Sequence, residues 1–219
     1  MSRELLESGL AELGPAPPSE AVERLVAYAG ELRRWNRAYN LTAIRDPRGV
    51  VVRHLLDSAA VLPVLDEVLD ADAEPRLLDV GSGAGLPGLV LAILRPELFV
   101  SCVDSVGKKA RFMRHAVREL GLDNVEVIEA RVEQLEPARP WPLIISRAFA
   151  ALSDFFRLTM PLLSADGYWL AMKGRDEIAP GTDVAGARVT AVRRLRVPGL
   201  DEERHLVLAR RAPDHEGQA

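Results

Sequence analysis

The sequence predicts an α/β fold: a mostly parallel sheet with an antiparallel hairpin at one edge, preceded by an N-terminal helical extension. Three observations predict it. From Arg76 onward, short apolar runs alternate with helical patterns, the signature of βα units feeding a parallel sheet. The first of those runs leads into a glycine-rich turn, Gly81-Ser-Gly83-Ala-Gly85-Leu-Pro-Gly88. The first 75 residues instead carry helical periodicity throughout.

Within the extension, Ser2 caps a short amphipathic helix ending near Leu13, and Gly14-Pro-Ala-Pro-Pro18 breaks it. Ser19 caps a second helix, whose Val22, Leu25, Val26, Ala29, Leu32 and Trp35 share one face. Asp46-Pro47 is an N-cap and first-turn pair for a third helix reaching towards Leu69, bent or broken at Pro63. The alternating part then predicts strand Arg76–Val80, helix Leu86–Leu94, strand Leu98–Asp104, helix Gly107–Leu120 and strand Val125–Glu129. A short turn follows at Val132–Leu135, then strand Leu143–Ser146, helix Leu152–Leu163 and strand Tyr168–Lys173. Arg188–Val197 and His205–Ala209, joined through Pro198-Gly199, form the edge hairpin. The expected division is residues 1–75 as helical extension, 76–212 as the sheet domain and 213–219 as a frayed tail.

Composition narrows the class. The chain has 219 residues, 48% hydrophobic and 27% charged, with a net charge of −4, which is ordinary globular usage with ample core. One cysteine gives no disulfide framework, and no Cys/His spacing suggests a metal site. The start is charged from its third residue and no apolar run approaches a membrane span. A soluble, cytoplasmic protein with no membrane partner is expected. Charge is also segregated. Arg33, Arg34, Arg37, Arg45, Arg48 and Arg53 face only Asp46 between Leu32 and His54, and Lys108 to Arg118 contains no acid. That permits a positive face on an acidic protein, although two solvated helix faces would read the same way.

The glycine turn is the sharpest local signal. Open α/β sheets bind ligands beyond the carboxyl ends of their strands, and glycines let a ligand approach the backbone. Gly83-x-Gly85-x-x-Gly88 matches the dinucleotide fingerprint. Asp79, just ahead of it, would repel a pyrophosphate, whereas S-adenosylmethionine carries an ammonium and a sulfonium. The acid therefore favours S-adenosylmethionine over NAD. Asp104, at the end of the next strand, suits ribose hydroxyls of either ligand. Simpler roles stay open: Asp79 capping the loop backbone and Asp104 capping the following helix.

The fourth strand ends Ile144-Ile-Ser146-Arg147-Ala-Phe149, without the Asn/Asp-Pro-Pro-aromatic segment common in exocyclic-amine methylation. Cys102, inside the second strand, reads as a core residue rather than the nucleophile that pyrimidine carbon methylation needs. An already nucleophilic acceptor remains. Guanine N7 carries a lone pair and loses no proton, so alignment and charge control suffice. Arg147 would grip guanine O6 or the cofactor carboxylate, and Phe149 would stack on the base. A surface ion pair and a core aromatic are the plainer alternatives. An NAD-dependent oxidoreductase and a non-catalytic RNA-binding assembly factor are the competing functions.

Seven segments spread over nearly the whole chain carry a resemblance: Trp35–Thr42, Val52–Ser58, Leu78–Gly88, Asp104–Met113, Arg131–Glu133, Ile145–Ala150 and Glu203–Val207. In these the chain resembles the bacterial small-subunit ribosomal RNA guanine-N7 methyltransferases, also called glucose-inhibited division protein B. The resemblance implies a class I S-adenosylmethionine-dependent methyltransferase (Rossmann-like) fold. It implies methylation of N7 of one guanine in the 530 loop of small-subunit (16S) rRNA; a ribosomal particle as the setting and a monomeric enzyme are separate expectations, with naked rRNA left open as the substrate. Cofactor contacts carried over fall at Gly81, Leu86, Val132, Glu133 and Arg147, with Asp104 on the ribose and Val132-Glu133 at the adenine; Asp79, Gly83 and Gly85 join them from the loop. Arg147, Lys173 and Arg204 are the catalytic candidates. Arg33, Arg34, Arg37, Asn40, Arg53, His54, Arg131 and Phe149 are the RNA-side candidates, and the Trp35–Thr42 and His54–Asp57 segments as a whole are RNA-side or active-site-shaping candidates. For Trp35 and Tyr39, four apart on a helix, a shared apolar face is as good a reading as RNA stacking.

Overall fold

A computed structural model describes residues 2–69, 75–136, 138–147, 149, 151–174 and 178–213. Eight strands form one sheet: β1 (Arg76–Val80), β2 (Phe99–Val103), β3 (Val125–Ile128), β4 (Trp141–Ser146), β5 (Leu163–Lys173), β6 (Asp183–Val184), β7 (Ala187–Leu195) and β8 (Arg204–Arg211). Their order is β3-β2-β1-β4-β5-β8-β7-β6. The first five are parallel, and β8, β7 and β6 continue the sheet antiparallel. Strand order reverses between β1 and β4, so the crevice at their carboxyl ends is where a ligand belongs.

The predicted hairpin forms, but β8 inserts between β5 and β7, and the edge strand is β6, which the alternation pattern missed. Two residues leave no periodicity to detect. The expected boundary between residues 75 and 76 falls immediately before β1, after residues 70–74, which lie outside the described residues. Most of the expected tail, 214–219, also lies outside them.

Strand side chains alternate between two layers, as the pleat requires. Leu77, Leu143, Ile145, Leu206 and Leu208 face one core; Leu78, Val80, Ile144, Val207 and Ala209 face the other. The second layer is closed by α8 (Leu152–Thr159) through Phe155 and Phe156. Covering the first are α6 (Gly88–Leu94) and α7 (Gly107–Leu120), and over them the extension. The extension comprises α1 (Ser2–Leu13), α2 (Ser19–Tyr39), α3 (Pro47–Val50), α4 (Asp57–Ala59) and α5 (Leu62–Val68). Leu6, Leu25, Leu32 and Leu55 of this part belong to the same continuous core as Leu77 and Val90. It is welded on.

The caps differ in outcome. Asp46 caps α3 as expected, its Oδ1 accepting from the Gly49 amide at 2.6 Å, with Pro47 in the first turn. Ser19 does not cap α2: Pro18 occupies that position and no side chain bonds there. Between α3 and α4 the helix opens into a π-helical turn, Val51–Leu56, a form that concentrates at functional sites. It sets His54 and Asp57 inward, at 6% and 3% exposure.

Candidate active site

Two cavities lie on either side of the end of β4. The first, of about 320 Å³, is walled by Gly81, Asp104, Arg131, Val132, Glu133 and Phe149, with Val106 and Leu158 supplying apolar surface. The glycine loop above β1 adopts backbone that only glycine tolerates easily: φ is 71° at Gly81, 62° at Gly83 and 86° at Gly85. Asp104 fixes this loop to the start of α7. Its Oδ2 accepts from the Gly83 amide (2.9 Å) and from Lys109 Nζ (3.3 Å), and its Oδ1 from the Val106 amide (2.9 Å). A carboxylate has about four acceptor positions, so Oδ1 retains one for a hydroxyl. Val132 and Glu133 sit in a 3-10 turn (Val132–Gln134) after β3, the first buried and the second exposed.

Asp79, Gly83, Gly85 and Leu86 are not on this cavity wall. Asp79 shares the parity of Leu77, so its carboxyl points under α6, where Oδ2 accepts from the Gly88 amide at 2.9 Å. A Cβ on Gly88 would stand 2.8 Å from that oxygen and 2.7 Å from Cys102 Sγ, so only glycine lets α6 start there. Burial is complete and Oδ1 has no partner. Burial pushes the carboxyl up to about 6, against the pull of the Gly88 hydrogen bond. Asp79 thus caps the loop–helix junction from below. Cys102 lies buried beside it with its thiol also pushed up by burial, as suits a core residue.

The second cavity, about 410 Å³, gathers Arg53, His54, Asp57, Arg147, Lys173 and Arg204, with His205 on its rim. All three catalytic candidates therefore converge. Arg147 Nη1 donates to Asp57 Oδ2 (3.1 Å) and to the Arg53 carbonyl (3.3 Å), and Arg204 Nε donates to Asp57 Oδ1 (3.0 Å). Lys173 Nζ donates to the Phe149 carbonyl at 2.8 Å, joining the two cavities through one residue. Arg53 also pairs with Glu202 at 2.6 Å.

His54 is held by a chain from α2. Buried Asn36 bonds the Thr42 amide and carbonyl, both at 2.9 Å, and the Thr42 hydroxyl lies 2.8 Å from His54 Nε2. His54 Nδ1 faces the Arg53 carbonyl at 3.0 Å. That carbonyl can only accept, so Nδ1 carries the hydrogen and Nε2 accepts from Thr42. Burial, helped by the positive Arg147, lowers the ring to about 4.

The other RNA-side candidates are dispersed. Arg33 and Arg37 are exposed and line a small cleft of about 190 Å³ with Thr42 and Arg45. Arg34 is engaged by Glu31 (2.5 Å) and His115 (3.2 Å). Asn40 takes a left-handed conformation at the end of α2 and accepts from Arg45. Phe149 packs on Phe155 at 5.4 Å. Trp35 stacks on Tyr39 and also meets Phe112 and His115 of α7, so its ring serves the α2–α7 seam. Sequence reasoning reached Asp57 only as the end of a segment and Asn36 only as a member of the Trp35–Thr42 segment, naming neither for itself. The signal for Asn36 was one amide among the apolar positions of α2; for Asp57 there was none beyond its basic neighbourhood.

Solved structures share this fold. A S-adenosylmethionine-dependent methyltransferase from Aquifex aeolicus superposes with a TM-score of 0.50 at 22% identity, covering 75% of this chain and 93% of that one. The mitomycin 7-O-methyltransferase MmcR gives a TM-score of 0.57 at 16% identity, covering 88% and 68%. The fold is that of the class I S-adenosylmethionine-dependent methyltransferases. Sequence relatives are much nearer. Ribosomal RNA small subunit methyltransferase G of Chromohalobacter salexigens is 53% identical over 94% of this chain and 96% of its own length. The Methylobacillus flagellatus protein of the same name is 49% identical over 92% and 95%. The family model for GidB, rRNA small subunit methyltransferase G, matches residues 21–207. Most of the sheet and extension, with the converging arginines, thus lies inside one match, and the chain belongs to the rRNA small subunit methyltransferase G family.

Proposed function

We propose that this enzyme methylates N7 of a specific guanine in the 530 loop of small-subunit (16S) rRNA, acting as a monomer in the cytoplasm on a ribosomal particle. S-adenosylmethionine is the methyl donor in this reading. The observation that carries it is the pairing of two cavities across Phe149: one has a carboxylate and apolar walls suited to a nucleoside, the other has converging arginines, two of them tied by the Asp57 carboxylate.

The first cavity fits the donor. Asp104 has an acceptor position left for ribose, Val132 offers an apolar edge to a purine, and Gly81 leaves the backbone bare. When bound, S-adenosylmethionine supplies a methyl group on a sulfonium. The chain's own residues then align and control charge. N7 attacks with a lone pair that bears no proton, so no side chain need accept one. His54, with both ring nitrogens already engaged, is a structural link rather than a base. Methylation leaves the guanine cationic, so Arg147 must keep off N7 itself, contacting either the cofactor carboxylate or O6 alone. Lys173, donating to the Phe149 carbonyl, links the second cavity to a residue that walls the first.

Mapping N7-methylated guanines in small-subunit rRNA, with and without the gene product, tests this directly. One modified guanine that disappears with the protein supports it. Unchanged maps, with RNA binding retained, would favour a non-catalytic assembly factor.

A further inference from the structure

We propose that Asp57 is a positioning residue for methyl transfer: one carboxylate oxygen on Arg147 and the other on Arg204 set the two guanidinium groups as a pair facing the guanine nucleotide. This rests on the function proposed above and adds the residue through which the helical extension takes part in it.

Topology shows why such a residue is needed. Arg147 follows β4 and Arg204 opens β8, and β5 lies between those strands. Two strand spacings separate their backbones by roughly 10 Å. Their heads meet because a single carboxylate accepts from both, at 3.1 and 3.0 Å. Asp57 comes from neither strand. It enters from the extension at the end of the π-helical turn, whose last residues pack into the core as Leu55 and Leu56.

Charge supports the same reading. At 3% exposure, Asp57 would be costly to bury unless its charge were matched and hydrogen-bonded. Two arginines on one carboxylate give that trio one net positive charge, and Glu202 lies 3.7 Å from Arg204 Nη2 at its outer side. Arg147 bonds Asp57 and the Arg53 carbonyl through the same Nη1, so its Nε–Nη2 edge is aimed by the protein yet available to a ligand. A preset guanidinium gives geometric alignment that a mobile one does not. Asp57 accepts no proton in this scheme, because N7 releases none.

The test uses the full chain, small-subunit particles and saturating S-adenosylmethionine, reading single-turnover N7 methylation. Asp57→Asn keeps the shape and removes the charge; the rate is expected to fall by about a hundredfold, as for a displaced catalytic group. In an Arg147→Ala background the same change is expected to cost less, because one of its two targets is gone. A wild-type rate for Asp57→Asn, or equal losses in both backgrounds, overturns the proposal. If Asp57→Asn does not fold, Asp57→Asn/Arg204→Gln removes one charge of each sign and restores an amide pair. It should run at least about tenfold slower than Arg204→Gln alone, and equal rates overturn the proposal. Wild-type protein that leaves N7 unmethylated overturns the function reading itself; an active wild type with an indifferent Asp57→Asn overturns this inference alone.

Discussion

Tyr28 donates its phenolic hydroxyl to the carbonyl oxygen of Ala84 at 2.7 Å, tying a helix of the extension to the glycine loop across 56 residues of sequence. The ring is fully buried, and burial pushes the phenol well above its ordinary range, so it stays a donor. Tyr28→Phe leaves the buried Ala84 carbonyl without this partner, a loss of ~1–3 kcal/mol. Urea denaturation should show that loss, and cofactor titration should show weaker binding because the loop is released. Equal midpoints and equal dissociation constants would mean that the extension does not support the loop.

Asp104→Ala removes the carboxylate that holds the Gly83 and Val106 amides and faces the first cavity. A lost charge-assisted hydrogen bond is worth ~1.5–3 kcal/mol, so the dissociation constant for S-adenosylmethionine should rise by about 10- to 150-fold. An unchanged constant in a folded variant would take Asp104 out of the binding site.

How far these residues were visible in the sequence depended on the range of their partners. Strand β1 and helix α7 were read at their observed ends, because alternation and helical period are local properties. Asp104 and Arg147 were singled out because strand ends in a parallel sheet converge, whatever the rest of the fold does. The face of Asp79 was also decided locally, by its parity with Leu77, and of the two roles the sequence left open its hydrogen bond to the Gly88 amide is the loop-capping one. The π-helical turn, the Asn36–Thr42–His54 chain and the Asp57 bridge depend on how the extension docks. No local pattern encodes that.

Asp79 and His54 should oppose each other in acid. Asp79 titrates near 6 in the folded chain, against 3.8 for a free carboxyl. The folded state therefore holds the extra proton, and stability from this group is present below pH 4 and lost as pH rises to 6. His54 is shifted down, from 6.5 to about 4, so its contribution is present above pH 6.5 and lost as pH falls to 4. Each amounts to about 3 kcal/mol, and the two largely cancel between pH 4 and 6. Relative to wild type, Asp79→Asn should make stability rise with pH in that window, and His54→Gln should make it fall. Parallel pH–stability curves for all three proteins would refute both assignments.

Exposed arginines on α2 should differ in their effect on RNA. Arg33 and Arg37 line an open cleft, whereas Arg34 is held by Glu31 and His115. A lysine or arginine on a phosphate contributes about one to the slope of log affinity against log salt. Arg33→Glu and Arg37→Glu should each weaken RNA binding and flatten that slope, leaving cofactor affinity alone. Arg34→Glu should do less. If all three variants bind RNA like wild type, this face only meets solvent.

The pH dependence of the chemical step separates a base-free mechanism from its alternatives. Histidine is the side chain that ordinarily titrates between pH 5 and 8, and His54 lies in the cavity with Arg147. However, its ring is already neutral above about pH 4, and Nε2 is occupied by the Thr42 hydroxyl. It can show no limb in the neutral range. Asp79 titrates near 6 beneath the loop, so the informative window starts just above it. Between about pH 6.5 and 8.5 single-turnover methylation should show no limb assignable to a catalytic base. Neutral replacements of His54, His115 and His205 should leave that profile flat, even where binding or folding suffers. Arg147→Ala should instead slow the step equally at every pH, because a guanidinium keeps its charge across the window. A sigmoidal profile that vanishes on replacing one histidine would show that a proton is removed, and therefore that the acceptor is not a guanine N7.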